Sequence, residues 1–155
     1  MGDVDEANCA IGLALMNVTA PEARQMLAAI QNELFDLGAD LATPGEDFTP
    51  DEMTHRIVAS QVERLEHEID EMNAGLTALT SFILPGGEGG SAQLHHARAI
   101  VRRAERSAVA ASGAVTLNPL ALIYLNRLSD HLFVMARLVA SPAGGDILWQ
   151  PGATR

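Results

Sequence analysis

The sequence is poor in several residue types, and each scarcity excludes something. It has no lysine, one cysteine and one tryptophan among 155 residues, and only 4% of its residues are aromatic. The single cysteine, Cys9, excludes an internal disulfide. The longest apolar stretches are interrupted too often to span a bilayer, and the N-terminal MGDVDEAN carries acids where a signal peptide needs positive charge. These features predict a soluble, cytoplasmic protein without a membrane partner.

Positive charge is also scarce, and it is unevenly placed. Ten arginines face 20 acidic residues, giving a net charge of −10. This balance argues against nucleic acid as a partner, because binding to nucleic acid rewards diffuse positive charge. Residues 1–88 contain 17 acids and three arginines, whereas residues 89–155 contain three acids and seven arginines. The asymmetry predicts a local anion site in the C-terminal half.

Heptad spacing of apolar residues predicts an all-α protein. Three seams repeat steps of three and four residues, beginning at Leu27, Val58 and Leu125. No alternating β-branched run competes with them. With breaks at Pro and Gly clusters, the helices are predicted at 3–17, 20–42, 50–81, 91–111 and 119–140. Short links between five helices favour an antiparallel bundle in one domain over residues 1–140, followed by an irregular tail over 141–155.

Helix start signals support these boundaries. Thr19-Ala-Pro-Glu22 and Thr49-Pro-Asp-Glu52 match the capping-box pattern, and Asn118 precedes a proline at the first helical position.

The predicted fourth helix carries a ridge of like charges. At 100° per residue, Arg98, Arg102 and Arg106 fall on one face with His95 and Glu105, beside a stripe of alanines. Like charges at i,i+4 destabilise a helix, so something must offset these three residues, the arginine ridge. Ion pairing with the acidic half is one explanation. A polyphosphate is the other, because guanidinium binds phosphate through two parallel hydrogen bonds.

The predicted fifth helix presents a matching polar face. Asn126, Asp130, Phe133 and Arg137 share one side, next to the leucine seam. This face could form hydrogen bonds within the core, remain a solvated edge, or line a site against the fourth helix.

Two weaker signals predict no metal site and no P-loop. Glu52-Met-Thr-His55 matches the Glu-x-x-His motif of di-iron bundles but lacks the required second copy. The loop Gly86-Gly-Glu-Gly-Gly90 could present N–H groups to an anion. Because it lacks the GK[ST] ending of a P-loop, the pattern favours a flexible hinge.

Six motifs together resemble one family. GDVDEAN, LFDLGADLATP, LEHEIDEMN, FILPGG, LHHARAIVRRAER and YLNRLSD occur in the order and approximate spacing of the trimeric ATP:cob(I)alamin adenosyltransferases. The resemblance implies a ferritin-like, cobalamin adenosyltransferase-like five-helix bundle that forms a homotrimer with active sites between subunits. It also implies transfer of the 5′-deoxyadenosyl group of ATP to the cobalt of cob(I)alamin, giving adenosylcobalamin and triphosphate. A cobalamin-dependent mutase is a possible recipient of the product.

The resemblance assigns nucleotide contacts to four residues. Arg102 and Arg106 look like ligands of ATP, and Arg102 is also expected to act in catalysis. Glu105 lies beside them on the same face, and Asn126 of YLNRLSD looks like a further nucleotide contact. Mg²⁺ is expected to bridge the phosphate oxygens.

The resemblance assigns three further residues to corrinoid binding or to contacts between subunits. Phe82 of FILPGG looks like the aromatic residue on the lower face of the corrin. There it would exclude a lower axial ligand and leave cobalt four-coordinate, so that Co(II) is easier to reduce. Asp5 and Arg98 look like the charged pair that joins neighbouring subunits. Trp149, in the tail, is expected either near the corrin or packed on the bundle.

One departure from the family pattern supports an alternative function. Family members usually carry a Thr/Gly-rich phosphate-binding loop with TGD and a following lysine, and the present sequence begins beyond that position. The sequence therefore leaves ATP affinity and turnover open. The alternative is a non-catalytic corrinoid-binding or delivery protein.

Overall fold

The computed structural model describes residues 1–155, with the exception of the side chain of Ala143. The elements are α1 (Gly2–Leu15), α2 (Pro21–Ala42), α3 (Ala59–Ala74), α4 (Ser91–Ser112), α5 (Pro119–Ala140) and a 3₁₀ turn (Ser141–Ala143). The prediction of an all-α five-helix protein is confirmed. Among these described helices, none is both long and apolar enough to cross a bilayer.

The helices pack around α4 and α5. α4 contacts both α1 and α5, while α5 also packs on α3, and α1 packs on α2. Side-chain hydrogen bonds also join these pairs: Asn8 bonds to Gln31 between α1 and α2, and Glu105 bonds to Asn126 between α4 and α5.

The predicted seams form the core. In α5, Leu125, Leu128, Leu132 and Met135 are fully buried. The small-residue stripe of α4, including Ala97 and Ala104, is buried as well. Alanines allow α1 and α5 to approach α4 closely, so that only the opposite face of α4 remains available for charged groups.

The prediction of a helix over residues 50–81 is wrong at both ends. α3 occupies only Ala59–Ala74. Before it, the Asp51 carboxylate accepts hydrogen bonds from the N–H groups of Met53 and Thr54, which replaces the helical pattern with a turn. Thr49 therefore caps no helix, and the Glu52–His55 motif lies outside α3. At the other end, Gly75 stops the helix.

A buried carboxylate explains why residues 56 and 57 leave the helical path. Asp40 of α2 is 1% exposed and accepts hydrogen bonds from Arg56 (2.8 Å), the Ile57 N–H (2.8 Å) and Asn118 (2.7 Å). Burying a charge is costly unless it is paired and hydrogen-bonded, and this arrangement meets both conditions. One side chain of α2 thus fixes the approaches to both α3 and α5.

Of the two other predicted helix caps, one is confirmed and one is wrong. The Asn118 side chain accepts a hydrogen bond from the Leu120 N–H, so the cap predicted for α5 is confirmed. The predicted capping box at Thr19 is wrong, because Ala20 precedes α2 and no side chain caps that end. Arg24, one turn into α2, instead donates to the carbonyl groups of Leu15 and Val18, which closes the end of α1.

A second polar cluster joins α2, α3 and α5. Arg64 contacts both Glu33 and Glu68, Tyr124 donates to Glu33 (2.6 Å), and His131 pairs with Glu68 (2.7 Å). Burial and the neighbouring Glu33 carboxylate raise the pKa of Tyr124 well above its ordinary value. The tyrosine is therefore a fixed hydrogen-bond donor at neutral pH.

The glycine loop before α4 is a packed turn. Gly89 and Gly90 have positive φ angles of 63° and 91°. A Cβ atom at Gly90 would lie 2.7 Å from a Val18 methyl, and one at Gly89 would lie 2.9 Å from the Val139 carbonyl oxygen. The glycines thus permit close packing against the ends of α1 and α5.

Asp40→Ala is expected to lower the free energy of unfolding by about 3–5 kcal/mol, because it leaves the buried Arg56 guanidinium without its carboxylate. The exposed Asp36, one turn earlier on α2, provides a matched control, and its alanine variant should lose at most about 1 kcal/mol. Urea denaturation of both variants measures the difference. Equal losses would mean that the Asp40 cluster does not organise the bundle.

Candidate functional site

Polar side chains of α4 and α5 meet along one groove. Asn126 donates a hydrogen bond to the Glu105 carboxylate (2.8 Å). Arg127 donates to the Asn126 amide oxygen (2.7 Å) and also pairs with Asp130 (3.2 Å). The amide oxygen of Asn126 is thereby occupied, which orients its NH₂ group towards Glu105. The groove is an ordered hydrogen-bonded edge, with Asp130 exposed at its rim.

The arginine ridge runs beside this groove without any carboxylate partner in the described part of the chain. Arg102 and Arg106 are exposed, and Arg106 donates only to the Arg102 carbonyl oxygen (3.0 Å). Arg103 points the other way and pairs with Asp3 (2.9 Å) and Glu6 of α1. Ion pairing with the acidic half therefore accounts for Arg103 and leaves the ridge available for an external anion.

Arg98 forms the inner end of the ridge. Its guanidinium lies 5.8 Å from the centre of the Phe133 ring, a cation–π distance, and its Nε atom is buried with no hydrogen-bond partner among the described atoms. Burial, with repulsion from Arg102, lowers the pKa of Arg98 below its ordinary value. The residue is still a cation at neutral pH, so it is a half-buried charge that lacks a counterion within the chain.

An aromatic cavity adjoins Arg98. Its walls include Leu79, Phe82, Ile83, Arg98, Phe133 and Trp149, and its volume is about 750 Å³. Phe82 is 79% exposed, and its ring meets Trp149 edge to face with centroids 6.0 Å apart. A cavity of this size with apolar walls and one charged edge is typical of sites for small organic ligands and cofactors.

Two segments pair to form the outer wall of this cavity. Leu84 N–H donates to the Ile147 carbonyl (2.7 Å), and Trp149 N–H donates to the Phe82 carbonyl (2.8 Å). A single antiparallel bridge joins Ile83 to Leu148. The tail therefore folds back onto the FILPGG segment, and Trp149 lies beside Phe82 at the cavity.

Asp5 lies apart from these groups. It is exposed in a groove between α1 and α2 whose other walls include Leu34 and Phe35. No ion pair joins Asp5 to Arg98 within the described chain. The sequence thus places two opposite charges at separate surfaces of one subunit.

The site and its surroundings also include residues that the sequence alone did not assign. Phe133, which lines the cavity, was noted only as a member of the Asn126 face, seven residues further along α5, and that spacing was the available signal. His95, which the sequence places on the face of the arginine ridge, is 4% exposed and contacts Phe133 edge to face at 6.0 Å. Arg127 gave no signal, because it lies off the polar face.

Comparisons with known proteins agree on one family. A family model described as cobalamin adenosyltransferase matches residues 1–139. A corrinoid adenosyltransferase from Mycobacterium tuberculosis is 52% identical over 156 residues, covering 99% of this chain and 79% of the relative. A cobalamin adenosyltransferase from Cupriavidus metallidurans is 45% identical, covering 97% and 78%. The solved structure of a variant PduO-type ATP:corrinoid adenosyltransferase from Lactobacillus reuteri, complexed with cobalamin and ATP, has a TM-score of 0.86 and 35% identity, covering 96% and 83%.

His95 provides a test of this electrostatic arrangement. Burial, and then the charge of Arg98, lower the pKa of His95 below 6.5. The folded state therefore favours the neutral imidazole, so the contribution of this pKa shift to stability is complete above pH 6.5 and is lost as the pH falls further. Removing the neighbouring cation in Arg98→Ala should raise the His95 pKa, measured by NMR titration of the ring protons. Arg103→Ala, which removes a cation facing α1, should leave it unchanged. An unaltered His95 titration in the Arg98 variant would contradict the proximity of the two charges.

Proposed function

Because the chain belongs to the cobalamin adenosyltransferase family, we propose that its arginine ridge binds the triphosphate of ATP and that the adjoining aromatic cavity binds the corrinoid. The chain is a corrinoid adenosyltransferase, a transferase that moves the 5′-deoxyadenosyl group of ATP to the cobalt of cob(I)alamin. The observation that carries the proposed site is the contrast between Arg103, which is paired within the chain, and the three ridge arginines, which are not.

The nucleotide lies along the groove between α4 and α5 in this proposal. Arg102 and Arg106 are four residues apart on α4, so their guanidinium groups lie on the same face of the helix and could both bind oxygens of one triphosphate. Glu105 and Asn126, already hydrogen-bonded to each other, provide polar groups for the ribose or the base. Arg127 donates a hydrogen bond to the amide oxygen of Asn126 and so holds this amide in its orientation.

The corrinoid occupies the aromatic cavity. Phe82 is exposed there and offers no nitrogen or oxygen atom to cobalt, so it would cover the lower face of the ring without coordinating the metal. An apolar wall also excludes water from that face. The cobalt would then stay four-coordinate, which favours the Co(I) state.

The chemistry needs little acid–base assistance. Co(I) attacks C5′ of ATP, the cobalt–carbon bond forms, and the C5′–O bond breaks with its electron pair leaving on triphosphate. Cobalt is formally oxidised from Co(I) to Co(III). Negative charge grows on the leaving oxygen, and Arg102, the residue proposed to act in catalysis, stabilises it electrostatically. The corrinoid provides the nucleophile, and the protein provides orientation and charge.

Mg²⁺ is best explained as part of the substrate. Groups of three or more His, Cys, Asp or Glu side chains suited to a metal are absent from the described residues. Mg²⁺ commonly binds through one or two carboxylates together with substrate phosphates. In this proposal Mg²⁺ would be held by the phosphates of ATP and would neutralise part of their charge, with Glu105 as the carboxylate of the ridge face.

A homotrimer would complete the site. Arg98 is half-buried without a counterion in its own chain, and Asp5 is exposed on another surface. Pairing of Asp5 with Arg98 of a neighbouring subunit would satisfy both charges and bring a second chain to the groove.

The proposed setting is cytoplasmic, with a cobalamin-dependent mutase as a recipient of adenosylcobalamin. The relatives favour this enzyme over the non-catalytic delivery alternative.

Arg102→Ala is expected to raise the KM for ATP about 10- to 100-fold, because a hydrogen bond to a charged group contributes roughly 1.5–3 kcal/mol. Formation of adenosylcobalamin from ATP and reduced cobalamin is followed by absorbance. Arg103→Ala is the matched control on the adjacent position. It should keep the KM for ATP and lose at most about 1 kcal/mol of stability, since its ion pairs with α1 are partly exposed.

Equilibrium titration with ATP and with cobalamin separates the alternatives. Binding of both ligands, with ATP weakened only in Arg102→Ala, supports the enzyme site. Binding of cobalamin without ATP would support a delivery protein, and equal ATP binding by the two arginine variants would remove the ridge from the nucleotide site.

Reversing either charge of the proposed interface should disrupt the trimer. Asp5→Arg and Arg98→Asp would each bring like charges together, whereas the double variant restores an opposite-charge pair. Sedimentation velocity should therefore show smaller species for the single variants and recovery of the trimer in the double variant. Full assembly of both single variants would rule out this pair as an interface contact.

A further inference from the structure

We infer that Arg137 is a positioning residue for the corrinoid cavity, acting through Asp146 and the segment after α3. Its Nε donates to the Asp146 carboxylate (2.9 Å), and its Nη2 donates to the Thr77 carbonyl oxygen (2.7 Å). Asp146 lies three residues before Trp149, and Thr77 lies five residues before Phe82. One guanidinium therefore contacts both segments that form the aromatic wall.

These two segments need an anchor because they have little structure of their own. Residues 76–90 and 144–155 contain no helix, and one isolated bridge, Ile83 to Leu148, joins them. A two-stranded pairing of this length is at best marginally stable in water. Phe82 is 79% exposed, so packing on the bundle contributes little to holding its side chain, and Trp149 is still 44% exposed.

Arg137 belongs to a helix of the core. It lies in the last turn of α5, and it is only 7% exposed. The Asp146 side chain is 18% exposed, so the ion pair is shielded from water. Separating a shielded pair leaves a buried charge unpaired, which costs far more than separating a surface pair. The two hydrogen bonds leave the planar guanidinium in different directions, a geometry that lysine does not provide.

The consequence for the reaction rests on the proposed function of the cavity. Arg137 lines neither the arginine ridge nor the cavity, and it touches no proposed substrate position. Its effect would be to keep the Phe82–Trp149 wall at a fixed distance from α5. Loss of this anchor should therefore weaken corrinoid binding while leaving ATP binding intact.

The test uses Asp146→Ala and Asp146→Asn, which change the tail and leave the helices untouched. Trp149 is the only tryptophan, so its fluorescence in the ligand-free protein reports the position of the tail. Asp146→Ala should shift the emission to longer wavelength and increase quenching by acrylamide. Asp146→Asn, which keeps an acceptor oxygen, should show a smaller shift. Glu71→Gln, which neutralises an exposed carboxylate on α3, is the control and should leave the spectrum unchanged.

Kinetics then separate positioning from general stability. Asp146→Ala should raise the KM for cob(I)alamin about tenfold, the factor equivalent to about 1.4 kcal/mol, with the KM for ATP close to that of Glu71→Gln. Its melting temperature should fall, because the buried Arg137 guanidinium loses its carboxylate, so both KM values are measured well below the melting temperature of the variant. An unchanged Trp149 spectrum, or a shifted spectrum with an unchanged KM for cob(I)alamin, would overturn the inference.

Failure of the cavity assignment would look different. Phe82→Ala tests that assignment directly, since it removes the proposed lower-face contact and should weaken cobalamin binding. If Phe82→Ala binds cobalamin normally, the corrinoid site is misplaced. The fluorescence of the Asp146 variants would still decide whether Arg137 anchors the tail.

Discussion

Uncompensated positive charge on α4 is the constraint from which the proposed site follows. Three guanidinium groups four residues apart repel one another, and among the arginines of α4 only Arg103, which faces α1, has a carboxylate partner in the described chain. The alanine stripe of α4 is buried against its neighbours, so the ridge has no route into the core. An acidic protein retains such a ridge without loss of stability when an anion neutralises it, and a triphosphate does so with geometry that matches arginine.

The fold was largely predictable because heptad spacing reports helices directly. Four helix predictions agree with α1, α2, α4 and α5 to within two residues at each end. The error at α3 has a specific cause: the seam from Val58 to Leu79 is periodic beyond the helix at its C-terminal end, but Gly75 stops it. Before α3, Asp40 draws Arg56 and Ile57 out of the helical path. That competition depends on a contact between residues 16 and 17 positions apart, which local periodicity does not contain.

The candidate site also contains parts that were predictable from the sequence and parts that were not. The ridge and the Asn126 face each follow from the 100° rotation per residue within a single helix, and a site between them was one of three possibilities that the sequence left open for the Asn126 face. The cavity wall was not predictable from spacing, because Trp149 reaches Phe82 through backbone pairing between residues 63 to 67 positions apart. Arg137 shows the limit most clearly: it shares the Asn126 face by periodicity, yet its side chain is buried and binds Asp146.

Arg98 connects the two halves of the proposed site. Its guanidinium belongs to the ridge by spacing and to the cavity by its contact with Phe133. A half-buried cation without a counterion lowers stability, so a carboxylate from a neighbouring subunit would be bound more firmly there than at an exposed arginine. Pairing with Asp5 of that neighbour would also fix the guanidinium over Phe133 and so define one edge of the corrinoid cavity. Assembly and corrinoid binding would then be linked through a single side chain, and the free subunit would have both a less stable bundle and a less ordered cavity.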